Sequence, residues 1–209
     1  MRSLDLSEPQ YAAAITKLQA QTSGRGGSFF RGSFFFILGY LKSNEGPGLS
    51  QDEVRRLFLV YPTLFTFSLQ HIVEKVQLLT SKYGYSLGQI RELLRRNGRC
   101  IFYDDDHFLA LQLFLKDLEL SNEEFCLATT KEPRLISASI ATLMAKRDHL
   151  LDTWGLSRQQ IGRTVLFAPG ILTLVFISSF IYLLLTLLLT ISHSPGRRRR
   201  PRSYYIASF

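Results

Sequence analysis

The sequence predicts an all-α chain of stacked helical repeats, a solenoid whose units are about 35 residues long. Three observations predict it: a serine-led helix start recurs four times, a helix break follows each start at one distance, and a seven-residue apolar rhythm follows the break. Ser50, Ser86, Ser121 and Ser157 stand 36, 35 and 36 residues apart. Each follows an apolar or aromatic residue and is followed three positions on by Glu53, Gln89, Glu124 or Gln160, then by Val54, Ile90, Phe125 or Ile161.

Before these four units, Leu6-Ser7 with Gln10 and Tyr11 repeats the pattern loosely, without a proline at the matching place. Residues 1–37 are therefore expected to hold a degenerate unit and a Gly/Ser/Phe linker. The stretch Ser23 to Ser33 reads as a flexible connector, and its single Arg25-Gly26-Gly27 also matches an RNA-binding tract.

The unit repeats over residues 38–175. At each start the serine hydroxyl accepts from the orphan amide of the third helical residue. The Glu or Gln there reaches back to the serine amide, and the flanking apolar pair clamps the entering chain. Twelve residues past the serine stand Pro62, Pro133 and Pro169, with Gly98 in the second unit. Proline lacks the amide that a continuing helix needs and pushes its predecessor out of helical geometry, so the helix is expected to stop after about three turns. Then come Phe65, Ile72 and Leu79, next Ile101, Phe108 and Leu115, and next Ile136, Leu143 and Leu150, an interval that keeps side chains on one side of a second, longer helix. Gly84 and Gly155 are expected to close two of these second helices.

These residues resemble the mitochondrial transcription termination factor (mTERF) family. The resemblance rests on Gly48-Leu49-Ser50 through Tyr61-Pro62-Thr63-Leu64 and on Leu120-Ser121 through Glu132-Pro133-Arg134-Leu135-Ile136, and spans roughly residues 38 to 175. Pentatricopeptide repeats share the period but do not place proline inside the unit in this way. The resemblance implies an organellar protein, in a mitochondrion or chloroplast, that binds double-stranded DNA or structured RNA. It implies roles in transcription termination or initiation, intron splicing or ribosomal RNA maturation, with organellar protein partners. Two departures stand out: Gly98 replaces a proline, and the fourth unit loses its pattern after Leu172.

The formal charge of +8 divides into +2 for residues 1 to 49, +1 for 50 to 169 and +5 for the arginine-rich end, so total basicity does not by itself indicate a polyanionic partner. Distribution is more informative. Arg56, Arg163, Arg96 and Lys131 occupy positions six and ten past the serines, away from the apolar positions four, seven and eight. Stacking would align them, together with Arg91, Arg95, Arg99 and Arg134, into a basic stripe suited to phosphates, where each neutralised charge releases a counterion. An ordinary solvated face is the alternative.

No enzyme activity is expected. Cys100 and Cys126 form no paired metal motif and read as buried small residues, and no phosphate-cradling glycine motif occurs. Asp104-Asp105-Asp106 beside His107 lacks a second ligand cluster and reads as a helix start, so neither metal nor cofactor is expected. Trp154 reads as a packing residue at a repeat junction.

From Thr164 to Ser192 no charge occurs, and residues 171–192 are apolar enough and long enough to cross a bilayer of about 30 Å. Residues 193–209 form an Arg-rich tail that would stay on the cytosolic, matrix or stromal side. Three readings stand: a membrane anchor, an aberrant segment from a splicing error, or a buried terminal helix. With an anchor, the chain becomes a membrane-tethered scaffold for protein partners, the competing functional class. The first 31 residues, with Asp5 and Glu8, match an acid-poor transit peptide badly.

Overall fold

A computed structural model describes residues 29–173 and, before them, only Pro9 and Thr16; these all fall in one compact unit, Met1–Thr173. The described residues are helical throughout, with no strand. In chain order they form α1 (Phe29–Lys42), α2 (Gln51–Val60), α3 (Leu69–Ser81), α4 (Leu87–Arg96), α5 (Asp105–Asp117), α6 (Asn122–Lys131), a short α7 (Arg134–Ser137), α8 (Ile140–Trp154) and α9 (Arg158–Phe167). Single 3-10 turns lie at Pro62–Thr66, Gly98–Phe102 and Pro169–Leu172, and α7 takes the same place in the third repeat.

All four serine starts form the reciprocal cap. Ser50, Ser86, Ser121 and Ser157 each accept from the amide three residues on, and Glu53, Gln89, Glu124 and Gln160 each return a bond to the serine amide at 2.8 or 2.9 Å. The first helices end just before the break, at Tyr61, Asn97, Glu132 and Ala168, which share φ between −127° and −149°. Gly98 breaks its helix without proline because Asn97 does the work: its Oδ1 accepts from the Arg99 amide at 3.2 Å. Glycine stands there for space as well, since a Cβ would meet Leu57 and Tyr61 of the preceding repeat at 2.6 Å.

The second helix does not run from the break as one piece. A tight turn comes first, and then a new cap opens the helix: Ser68, Asp104 and Ser139 accept from the amides of His71, His107 and Thr142 at 3.1, 2.9 and 3.1 Å. Each of these caps lies eighteen residues past the serine start. Phe65 and Ile136 of the apolar rhythm therefore sit in the turn, while Ile72, Leu79, Phe108, Leu115, Leu143 and Leu150 sit on the helix. All eight are fully buried, so the rhythm marks the core even where it spans two elements.

Repeats join through a residue in left-handed conformation two positions before each serine: Gly48, Gly84 and Gly155 with φ of 66°, 81° and 62°, and Glu119 with φ of 63°. In this geometry the Tyr85 and Leu156 amides turn back onto the carbonyls of Leu79 and Leu150, closing the preceding helix. Successive first helices touch, α2 with α4, α4 with α6 and α6 with α9, as do the second helices α1 with α3 and α5 with α8. Gly162 lets α9 approach the junction between α5 and α6, because a methyl there would overlap the Leu118 carbonyl oxygen.

Two boundaries move. Residues 29–37, expected as part of a linker, belong to α1, which packs as the second helix of a preceding repeat. Phe34 packs edge-on against Phe58 and tilted against Phe65, with ring centroids 5.4 and 5.5 Å apart, and Ile37, Leu38 and Leu41 are buried, so packing overrides the Gly/Ser signal around them. At the other end Ile171 and Leu172, expected to begin an apolar span, lie buried in the fourth bend. The rest of the expected hydrophobic helix at 171–192, the tail at 193–209, the degenerate cap at Ser7 and the glycine-rich tract at 23–28 lie outside the described residues. No helix among the described residues is long and apolar enough to cross a membrane.

Candidate nucleic-acid interface

The bends create an accounting problem that the cations solve. Ending a helix leaves carbonyl oxygens without intrahelical partners. In this stack the preceding repeat supplies donors. Arg96 Nη1 donates to the Lys131 carbonyl at 3.0 Å, and Lys131 Nζ donates to the Leu166 carbonyl at 3.0 Å, each reaching 35 residues ahead to the last turn of the next first helix. Asn97 Nδ2 reaches the Pro133 carbonyl and the Ser137 hydroxyl at 3.4 and 2.9 Å. On the second helices Lys75 donates to the Tyr103 carbonyl, His107 Nε2 lies 2.5 Å from the Ile136 carbonyl, and Lys146 Nζ donates to the Leu172 carbonyl at 2.7 Å. Burial lowers the pKa of Lys75 and of Lys146, while Lys75 also lies 4.8 Å from the Phe108 ring centre.

The eight residues expected to form the basic stripe fall into three groups. Arg95, Arg96, Arg99, Lys131 and Arg134 gather along the bends of repeats two and three, because Arg96 bonds the Lys131 backbone and Arg134 follows three residues later. Arg91 lies one turn back on α4 and is turned toward repeat one, where Nη2 and Nε meet Glu53 at 2.7 and 3.1 Å. Arg56 and Arg163 are exposed on α2 and α9 in the outer repeats. The eight cations are thus five along the central bends, Arg91 paired with Glu53, and two exposed in the outer repeats.

Carboxylates temper the cluster. Glu92 receives Arg95 Nε and Nη2 at 2.7 and 2.6 Å and also receives Arg96 Nε. The Arg95 hydrogen bond holds the Glu92 carboxyl down at about 2, against the opposing effect of its partial burial. Glu132 receives Arg134 Nε and Nη2 at 2.7 and 2.9 Å, and that bond lowers its pKa as well. For Glu53, burial pushes the pKa up, but the Ser50 amide and Arg91 outweigh it and the net shift is downward. Five cations against Glu92 and Glu132 leave an excess of three positive charges at the cluster. Arg99, like Arg56 and Arg163, is exposed and makes no ion pair among the described residues.

Glu92 was readable from its spacing of three and four to Arg95 and Arg96. The Glu53 to Arg91 bridge was not, since its partners lie 38 residues apart. The acidic triplet with His107 serves as the start of α5: Asp104 caps it, and Asp105 binds Lys82 and Tyr83 at 2.5 and 2.7 Å. Cys100 and Cys126 are buried, and burial pushes the Cys126 thiol up to about 11 while its Sγ donates to the Tyr83 carbonyl. No group of His, Cys, Asp and Glu that could hold a metal occurs among the described residues.

A stack of capped first helices, proline-type bends and second helices, with cations along the bends, defines a helical-repeat protein. The mTERF family model matches residues 40–161, more than half of the chain, and the chain belongs to the mTERF family. No curated protein matches it. Membership points to an organellar, nucleic-acid-binding regulatory role rather than to catalysis.

Proposed function

We propose that this chain is a regulator of organelle gene expression that grips double-stranded DNA or structured RNA along the bends of repeats two and three. The observation that carries the reading is the gathering of Arg95, Arg96, Arg99, Lys131 and Arg134 at one edge, with an excess of positive charge. Guanidinium groups there suit phosphate oxygens geometrically, and release of condensed counterions supplies affinity that falls with salt. Such contacts position the protein on its ligand without reading sequence. Termination, splicing or ribosomal RNA maturation are the processes the family supports for such a grip.

Reversal of Arg95 and Arg99 to Glu tests it, since neither side chain ties one repeat to the next. Fluorescence anisotropy with a duplex DNA and a stem-loop RNA, across salt concentrations, should show weaker binding and a salt slope flatter by about 0.9, the share of the one phosphate contact that the open Arg99 makes. Unchanged affinity and slope, with an unchanged helical spectrum, would turn the reading toward a scaffold for protein partners.

A further inference from the structure

Position six past the serine start carries Arg56 in the first repeat and Arg163 in the fourth, yet Glu92 in the second, where the cations are densest. Its carboxylate takes two guanidiniums with different duties. Arg96 uses Nη1 to bond the Lys131 carbonyl of the next repeat, so the bond from Nε to Glu92 holds a side chain already committed to bracing the stack. Arg95 has no such commitment. Nε and Nη2 both go to Glu92, so the Nε–Nη2 edge, one of the two guanidinium edges that can pair two phosphate oxygens, is occupied. Arg99, three residues beyond Arg96, remains open.

We propose that Glu92 is an affinity-setting residue of the bend edge: it occupies Arg95, holds Arg96 as a brace between repeats two and three, and so limits how strongly the edge grips a polyanion. This rests on the nucleic-acid reading of the same surface. A phosphate that engages Arg95 through its Nε–Nη2 edge must displace a carboxylate that is already there, and one that comes to Nη1 meets the Glu92 charge beside it. Binding is an exchange of one anion for another, and the net gain is smaller than for an unpaired arginine. Removing the carboxylate charge opens Arg95, whereas Arg96 keeps its bond to the Lys131 carbonyl.

The test compares Glu92→Gln, Glu92→Asp and Glu119→Gln in the full chain, titrated with the same duplex DNA and stem-loop RNA. Glu119 is exposed at a repeat junction and pairs with no cation among the described residues, so its variant raises net charge equally without touching the cluster. Glu92→Gln should tighten binding about eightfold at about 0.1 M salt and steepen the salt slope by about 0.9, the signature of one added phosphate contact. Glu92→Asp should retain wild-type affinity, and Glu119→Gln should leave the slope unchanged. Equal tightening by Glu119→Gln would reduce the effect to net charge and overturn the inference. So would wild-type affinity in Glu92→Gln with an unchanged melting profile. Absence of binding by the wild-type chain at low salt to either probe would defeat the nucleic-acid reading itself, and the role of Glu92 with it.

Discussion

The four serine starts and the four bends do equivalent jobs in every repeat, but they are built differently. Each start uses the same two reciprocal bonds, between residues three apart, and differs only in Glu against Gln. The bends use Pro62, Gly98, Pro133 and Pro169, and those of repeats two to four are finished by donors from the preceding repeat, among them Lys75, Arg96, Asn97, Lys131 and Lys146. A start is therefore a local device and a bend a shared one. The difference teaches why cations collect at the bends: the carbonyls exposed there need donors, and long cationic side chains reach them.

Four variants break or sharpen this contrast. Gly162→Ala should cost the most, about 3 kcal/mol in urea denaturation, because the added methyl overlaps backbone at the Leu118 carbonyl and the fourth repeat must move off the junction of repeats two and three. Asn97→Ala removes a buried amide that caps its own bend and bonds the next, and should cost about 2 kcal/mol. Hydrogen exchange should then rise in both repeats two and three. Ser121→Ala should cost about 1 kcal/mol, with faster exchange confined to the first turn of α6. If Ser121→Ala loosened two repeats and Asn97→Ala only one, the division into local and shared devices would fail.

Glu119→Gly works in the opposite direction. Relieving a side chain at φ of 63° should stabilise the chain by about 1 kcal/mol, seen as a higher urea midpoint.

The smallest effect is a pH dependence. Glu92 titrates lower in the fold than in an open chain, so its pairing contributes fully above about pH 4.3 and is lost as pH falls toward about 2. Pairs this exposed are worth about 0.5 kcal/mol, and the stability gap between wild type and Glu92→Gln should narrow, not close, when the urea midpoint is followed from neutral pH to about pH 3.

Much of the architecture was legible from spacing. The caps at Ser50, Ser86, Ser121 and Ser157, the breaks twelve residues later and the buried rhythm of Phe65, Ile72 and Leu79 depend on neighbours within a turn or two of helix, and such neighbours are visible in the chain as written. The second caps at Ser68, Asp104 and Ser139 recur at constant distance too, and only Asp104 announced itself, through its acidic run. The helical state of residues 29–37 was hidden, because its cause is the contact of Phe34 with Phe58 and Phe65.

Which arginines reach across to a neighbouring repeat was decided by the tertiary structure alone. Arg56 and Arg96 look alike as members of one basic pattern, yet one stands exposed and the other braces two repeats. The physical reason is range. A residue's helical neighbours follow from a count of three or four, whereas a partner 35 or 38 residues away exists only after whole helices have packed at a particular separation and tilt.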